Sequence, residues 1–279
     1  MVAPLRRVIV RRPDAAFAVE DPAAWHYTAR PDLIEAQAEH DAFVALLRRS
    51  GAEIIEHTAP QPGRADAIFV HDPAIVTEHG AVVLSMGKAL RHGEEAALAA
   101  CFSEHNVPIL GTLSGTARAE GGDLLWLDQQ TLAAGVGFRT NLDGIRQLRA
   151  LLEPHNIQVL PVELPYYTGP EACLHLMSII SMVDHDLAVV YLPLLTVPFF
   201  QELQRRGIRL VECPENEFLT MGTNVLALAP GECLMLAGNP ITQQRLEAAG
   251  CEVQTYRGNE ISLKAEGGAT CLTRPVLRA

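Results

Sequence analysis

The 279-residue chain lacks several features, and each absence narrows what it can do. It has no excess of positive charge. The 22 Lys and Arg are outnumbered by 33 Asp and Glu, giving a formal net charge of −11, and no local basic cluster offsets this. A surface of that sign disfavours both nucleic-acid binding and attachment to anionic membranes. A long apolar run is also missing. The most apolar stretch, Leu187 to Phe200, has 14 residues and contains Pro193 and Pro198, whereas a spanning helix needs about 20 apolar residues. The opening MVAPLRRVIVRRPD is charged but has no apolar segment of the secretory kind. A cytoplasmic location is therefore expected.

Cysteine is sparse. Cys101, Cys173, Cys213, Cys233, Cys251 and Cys271 form no CxxC pair, so neither a disulfide framework nor a zinc knuckle is expected and the thiols read as reduced. No GxGxxG turn follows an early strand, which argues against a doubly wound dinucleotide-binding sheet. Ser85 and Ser114 do not sit in a GxSxG elbow, which argues against a serine hydrolase. His71, Asp72 and His79, or His175 with His185, come nearest to a metal set, but neither group has helical or knuckle spacing. No metal and no organic cofactor is expected.

What is present is a repeat. Hydrophobic residues make up 48% of the chain, enough to build a core. Five times a helix-like stretch ends at Gly or Asn and is followed by a short β-rich run: LLRRSGAEIIEH, CFSEHNVPILGT, LLEPHNIQVLPV, LQRRGIRLVEC and LEAAGCEVQTY. The stops are Gly51, Asn106, Asn156, Gly207 and Gly250, spaced by 55, 50, 51 and 43 residues. Both residue types tolerate the left-handed conformation that ends a helix. Hairpin-like apolar pairs precede four of the helices: AIVTEHGAVVL, LLWLDQQTLAAGV, LMSIISMVDHDLAVVYL and VLALAPGECLMLAG. The helix around Leu33 to Arg49 has no hairpin before it, and the C-terminal run ATCLTRPVL is the candidate for its missing strand. Five ββαβ units closed into a ring can share a core that no single unit can bury. With no long linker in sight, residues 1–279 read as one α/β domain.

Candidate chemistry clusters beside glycines and β-runs. Cys271 follows Gly267 and Gly268, and glycines allow the backbone close to a ligand. His175 lies in CLHLMS, where strand alternation puts it on one face with Cys173, a rival nucleophile. Glu120 and Asp123 flank Gly121 and Gly122, while Asp66, His71 and Asp72 lie in DAIFVHDPAIV. Each also has an ordinary structural reading: a small core thiol, a satisfied core histidine, or turn carboxylates.

Together FVHDPAIV, LRHGEE, EGGD, GFRTN, CLHLMS and GGATCLTRP are similar, in order and spacing, to the guanidino-group-modifying enzymes. These comprise arginine deiminases, amidinotransferases and dimethylarginine dimethylaminohydrolases, the bacterial members of the last resembling this chain most. The resemblance runs from VIVRRP to the last strand. It implies a five-bladed pseudosymmetric α/β propeller, or pentein, in agreement with the repeat. It also implies Cys271 as nucleophile, His175 as general acid/base and Glu120 as the partner orienting His175. It further implies Asp72 and Asp66 as guanidinium-binding carboxylates and Arg91 and Arg139 as a clamp for the substrate α-carboxylate, with Asp123 in a less defined binding role. The sequence departs from the pattern at His71, where some dimethylarginine-hydrolysing relatives carry an acid, and in ACLHLMS, which differs from the HLK form of several relatives.

The chemistry implied is hydrolysis of a guanidino C–N bond in a small arginine-like molecule. A methylated arginine would give citrulline and an alkylamine. Hydrolysis of arginine itself and amidino transfer to an amine remain as alternatives, and the compact length favours hydrolysis. A non-catalytic propeller used as a binding module would not need a Cys, a His and an acid at matching positions. Oligomeric state is left open, a homodimer included.

Overall fold

The computed structural model describes residues 2–170 and 174–279. Its strands form five sheets of three, each with one antiparallel and one parallel pairing. The first joins β1 (Leu5–Val10) to β2 (Glu53–Glu56) in parallel and to β15 (Arg274–Arg278) antiparallel. The second is β3 (Ala74–Thr77), β4 (Gly80–Val83) and β5 (Ile109–Thr112). The third is β6 (Leu124–Trp126), β7 (Thr131–Val136) and β8 (Gln158–Glu163). The fourth is β9 (Ile180–Asp184), β10 (Leu187–Val190) and β11 (Arg209–Glu212). The fifth is β12 (Leu226–Ala229), β13 (Glu232–Leu236) and β14 (Glu252–Tyr256). The C-terminal strand thus completes the N-terminal sheet, as the repeat predicts.

Each parallel pair is bridged by a helix: α1 (Leu33–Arg49), α2 (Glu94–Glu104), α3 (Leu142–Leu152), α5 (Val197–Arg205) or α7 (Pro240–Ala248). Two single-turn helices, α4 (Leu176–Ile179) and α6 (Glu215–Phe218), lie between units. The helix starts follow from side-chain chemistry. Asp32 accepts from the Ile34 and Glu35 amides at 2.9 and 3.0 Å, and Asn141 accepts from Gly144 N at 2.8 Å; such caps contribute about 1 kcal/mol each. The five stop residues all take positive φ: Gly51 at 89°, Asn106 at 57°, Asn156 at 59°, Gly207 at 72° and Gly250 at 102°. That conformation turns the chain back into the outer strand.

The middle strands β4, β7 and β10 carry no charged residue because both of their faces are covered; Leu187, Ala188, Val189 and Val190 are all buried. Neighbouring sheets touch in cyclic order. β15 lies against β3, β6 against β9, β9 against β12 and β12 against β1. A Ser85–Ala119 bridge joins the second sheet to the third. This closes the five units into a propeller-like ring with β15, β3, β6, β9 and β12 on the inside.

Two local expectations are corrected. Cys271 is not in the terminal strand, which starts at Arg274, but in the turn before it, where Thr273 Oγ1 donates back to the Ala269 carbonyl. His175 is not in a strand either. It is the N-cap of α4, in a reciprocal capping arrangement with Ser178, so alternation along a strand does not apply to it. Cys173 lies outside the described residues.

Candidate functional site

The site arises from the five turns that precede the five inner strands. Cys271 precedes β15, His71 and Asp72 precede β3, Glu120 to Asp123 precede β6, His175 precedes β9 and Asn224 precedes β12. Hydrogen bonds link each turn to the next. His71 N donates to the Cys271 carbonyl at 3.2 Å, and Gly121 N and Gly122 N donate to the Asp72 carbonyl and Oδ1, both at 2.9 Å. Leu176 N donates to Asp123 Oδ1 at 3.0 Å. Thr223 Oγ1 donates to the Ser178 carbonyl at 2.6 Å, and Asn224 Nδ2 donates to Cys271 Sγ at 3.4 Å, which returns the circuit to its start. Residues 200 apart in sequence are thereby held around one axis.

Glu120 is fully buried and heavily served by donors. Oε1 accepts from the Gly87 and Lys88 amides at 2.8 and 3.0 Å. Nη1 of Arg139 donates to both oxygens at 3.0 Å, and His175 Nε2 lies 2.7 Å from Oε2. Burial pushes this carboxyl up, but the hydrogen bond and charge of His175 together with Arg139 outweigh it and hold the group well below the ordinary carboxylate range. With Glu120 ionised, Nε2 of His175 carries a proton, and Nδ1 is the ring atom left to accept from Ser178 N in the cap. Gly122 must be glycine here, since a Cβ would stand 2.3 Å from Nδ1 of His175.

Cys271 is partly exposed, unlike the other described cysteines. Burial pushes the Cys101 and Cys213 thiols up to about 11 and raises those of Cys233 and Cys251 as well. Those four behave as core thiols. Asn224, which sequence reasoning missed, also accepts from Thr270 N at 3.0 Å and Thr270 Oγ1 at 2.8 Å, pinning the turn that carries the sulfur. Its signal was its place: it stands before the fifth hairpin as Asp72 stands before the second.

The expected binding residues divide. Asp72 is buried, with Oδ2 2.6 Å from Arg91 Nη1. Burial raises its carboxyl, but Arg91 and His175 hold it below the ordinary value. Arg91 does not present itself as a carboxylate clamp. It is buried, with Nε and Nη2 on Glu94 Oε2 at 3.0 and 2.7 Å and Nη2 also on the Phe69 carbonyl at 2.9 Å. Asp123 is likewise engaged within the protein. Its oxygens accept from Leu176 N and from Thr140 Oγ1 at 2.6 Å, and burial pushes it up to about 6. It holds the start of α4, and through it His175. Asp66 accepts from Tyr27 Oη at 2.9 Å and from Lys88 Nζ at 2.6 Å, so the chain's own cation sits on it. Arg139 keeps a partly exposed side chain on Glu120.

His71 is inert as an acid–base group. Burial and Arg274 push it down to about 3. Its Nδ1–H faces the Thr273 carbonyl at 2.9 Å, and its Nε2 accepts from Arg274 Nη2 at 2.7 Å. His79 is elsewhere, stacked on His155 at 4.3 Å. Among the described residues, no three His, Cys, Asp or Glu group as a metal site.

The model of the arginine deiminase family matches residues 64–198 and 194–278 of the chain. An N(G),N(G)-dimethylarginine dimethylaminohydrolase of Pseudomonas aeruginosa is 24% identical over 268 residues, covering 96% of this chain and 98% of that one. An arginine deiminase of Mycobacterium avium is 27% identical over 281 residues, covering 88% of this chain and 67% of that one. Among solved structures, a cysteine-to-serine variant of the Pseudomonas aeruginosa dimethylarginine dimethylaminohydrolase, complexed with citrulline, superposes with a TM-score of 0.80 at 22% identity, over 97% of this chain and 99% of that one.

Proposed function

The chain belongs to the arginine deiminase family, and from that premise we propose that it hydrolyses a guanidino C–N bond through a covalent intermediate on Cys271. One observation carries the reading. A buried, ionised Glu120 holds His175 Nε2 at 2.7 Å, and both stand in the hydrogen-bonded circuit that contains the Cys271 turn. This is the acid–imidazole–nucleophile logic of a triad.

A guanidinium carbon is resonance-stabilised, so attack needs a thiolate and a pocket that fixes the planar cation. Asp72 suits the second need: each of its oxygens has one protein donor and keeps a lone pair for a guanidinium N–H. A cation seated beside the Cys271 thiol favours its ionisation, and the released proton passes to Nδ1 of His175 to make the imidazolium, while Ser178 N keeps its bond to the His175 carbonyl. The sulfur attacks the guanidinium carbon and forms a tetrahedral adduct. The C–N bond to the departing nitrogen then breaks as His175 delivers a proton to it from Nδ1, and an amidino-thioether remains. Water gives a proton to the same Nδ1 and attacks the carbon. The C–S bond breaks, the added hydroxyl becomes the ureido carbonyl by losing its proton to the departed amine, and the imidazolium returns its proton to the sulfur. Glu120 stabilises the imidazolium in both halves. Arg139 is the arginine assigned to a substrate carboxylate; Arg91 positions Asp72. Residues 1–279 act as one catalytic unit on this reading, since the circuit joins residue 71 to residue 271.

The substrate favoured is a methylated arginine, giving citrulline and an alkylamine. The alignment to a relative named for dimethylarginine hydrolysis, over 96% of this chain and 98% of that one, supports this. Hydrolysis of arginine to citrulline and ammonia is the second reading. A panel of arginine, mono- and dimethylarginine, agmatine and a guanidino acid, scored for ureido product and released amine, separates them. Acid quench during turnover should leave the substrate's amidino mass on the Cys271 peptide, and Cys271→Ser should abolish turnover. Full activity in Cys271→Ser, or an adduct on another peptide, overturns the assignment.

A further inference from the structure

Asp66 and Asp72 were expected to do one job, but their partners differ in how readily they can leave. Arg91 is locked on Asp72 by Glu94 and a backbone carbonyl. Lys88 stands on Asp66 at the end of a four-carbon stem. Its ammonium meets three groups: Asp66 Oδ2 at 2.6 Å, the Trp25 carbonyl at 3.0 Å, and the Trp25 ring with its centroid at 5.0 Å. The other oxygen of Asp66 is held by Tyr27 Oη. Carboxylate, carbonyl and aromatic face are the three groups that an ammonium seeks. A guanidinium would instead want a paired, planar fork.

The cradle adjoins both the reactive centre and open space. The backbone N–H of Lys88 donates to Glu120, so the lysine is anchored one residue from the acid that holds His175. Trp25 also lines an open cavity of about 540 Å³ together with Glu20, Asp21, Arg30 and Leu33. An ammonium arriving from solvent can therefore compete with the Lys88 tip without disturbing its backbone.

We propose that Lys88 is a specificity-determining residue: its ammonium occupies a cation subsite on Asp66 and Trp25, so that a substrate bearing an α-ammonium besides its guanidinium must displace it, while one without an α-ammonium need not. The inference rests on the guanidine-hydrolase reading and deepens it, since it names the non-reacting end of the substrate as the feature selected. Lys88 lowers the apparent affinity for α-amino guanidino acids by the fraction of time it fills the cradle.

The test is calorimetric, in the full chain with Cys271→Ala so that nothing turns over. The probes are L-arginine and 5-guanidinopentanoate, which is arginine without its α-amine. Lys88→Met keeps the stem and removes the charge; Lys88→Gln is the second variant should the first fold poorly. Each should tighten L-arginine relative to 5-guanidinopentanoate by about tenfold, the scale of one partly desolvated ion pair. A ratio within about twofold of the Lys88 form overturns the proposal, and so does the absence of binding of either probe to every form. The hydrolase reading fails separately, by lack of ureido product in the Cys271-intact protein. A shifted binding ratio without turnover would uphold Lys88 and sink that reading.

Discussion

Glu120 and Glu94 are two buried acids, each paired with an arginine, and their carboxyls are shifted in opposite directions. Glu120 is held well below the ordinary carboxylate range, whereas burial pushes Glu94 up to about 7 despite Arg91. Depth does not separate them, since both are almost wholly buried. Donors do. Glu120 receives two amides, Arg139 and His175 across both oxygens. Glu94 receives Arg91 on Oε2 alone, and its Oε1 has no partner among the described residues. In a low-dielectric interior a carboxylate stays charged only when its lone pairs are answered. The arginines follow their acids. Arg139 joins a charged pair that includes the imidazole, and Arg91 is part of the frame.

The contrast breaks most visibly at Glu120. Glu120→Gln keeps the shape but cannot stabilise an imidazolium, so kcat should fall by about 10²–10⁴-fold. If kcat stays within a few-fold of the parent while the protein folds normally, Glu120 is scaffolding and the distinction collapses. Arg91→Met sharpens the other side. It strips the cation from Asp72 and Glu94 together, and loss of one partner from a buried ion cluster costs about 3–5 kcal/mol. Urea titration should show that loss. A variant of unchanged stability that only binds substrate more weakly would return Arg91 to the clamp role.

Much of the architecture was legible because helix termination is local. Gly51, Asn106, Asn156, Gly207 and Gly250 need a left-handed backbone, and only a few residue types provide it. The closing strand was legible through the one unit that lacked a hairpin. Site geometry was less accessible because it is made of contacts between units. Nothing near His175 in the sequence says that Asp123, 52 positions earlier, caps its helix through Leu176. Arg91 and Arg139 are alike as letters, and the carboxylates each meets decide their roles. Asn224 and Lys88 carry no motif at all, and Arg274 lies in GGATCLTRP with nothing to mark it for His71. Asn224 becomes visible only after the five turns are superposed in thought on the five inner strands.

The smallest effect tests the donor argument directly. Glu94 has its folded value raised to about 7 from an ordinary 4.5, so the folded state holds this proton more tightly than the unfolded chain. The stability it contributes is fully present below about pH 4.5 and is lost as pH rises through about 7. Glu94→Gln cannot titrate. The melting temperature of the variant minus that of the parent should therefore climb between pH 5 and pH 8, by a few degrees for a chain of this size. Glu120 adds no slope there, because its depressed value makes its own contribution vanish only as pH falls below the ordinary carboxylate range. Asp66 and Asp72 face Glu94 along with Arg91, and their charges are common to parent and variant, so the difference isolates the one carboxyl. A flat difference across that range would mean that Glu94 is ionised throughout, and counting donors would then no longer explain why the two acids part.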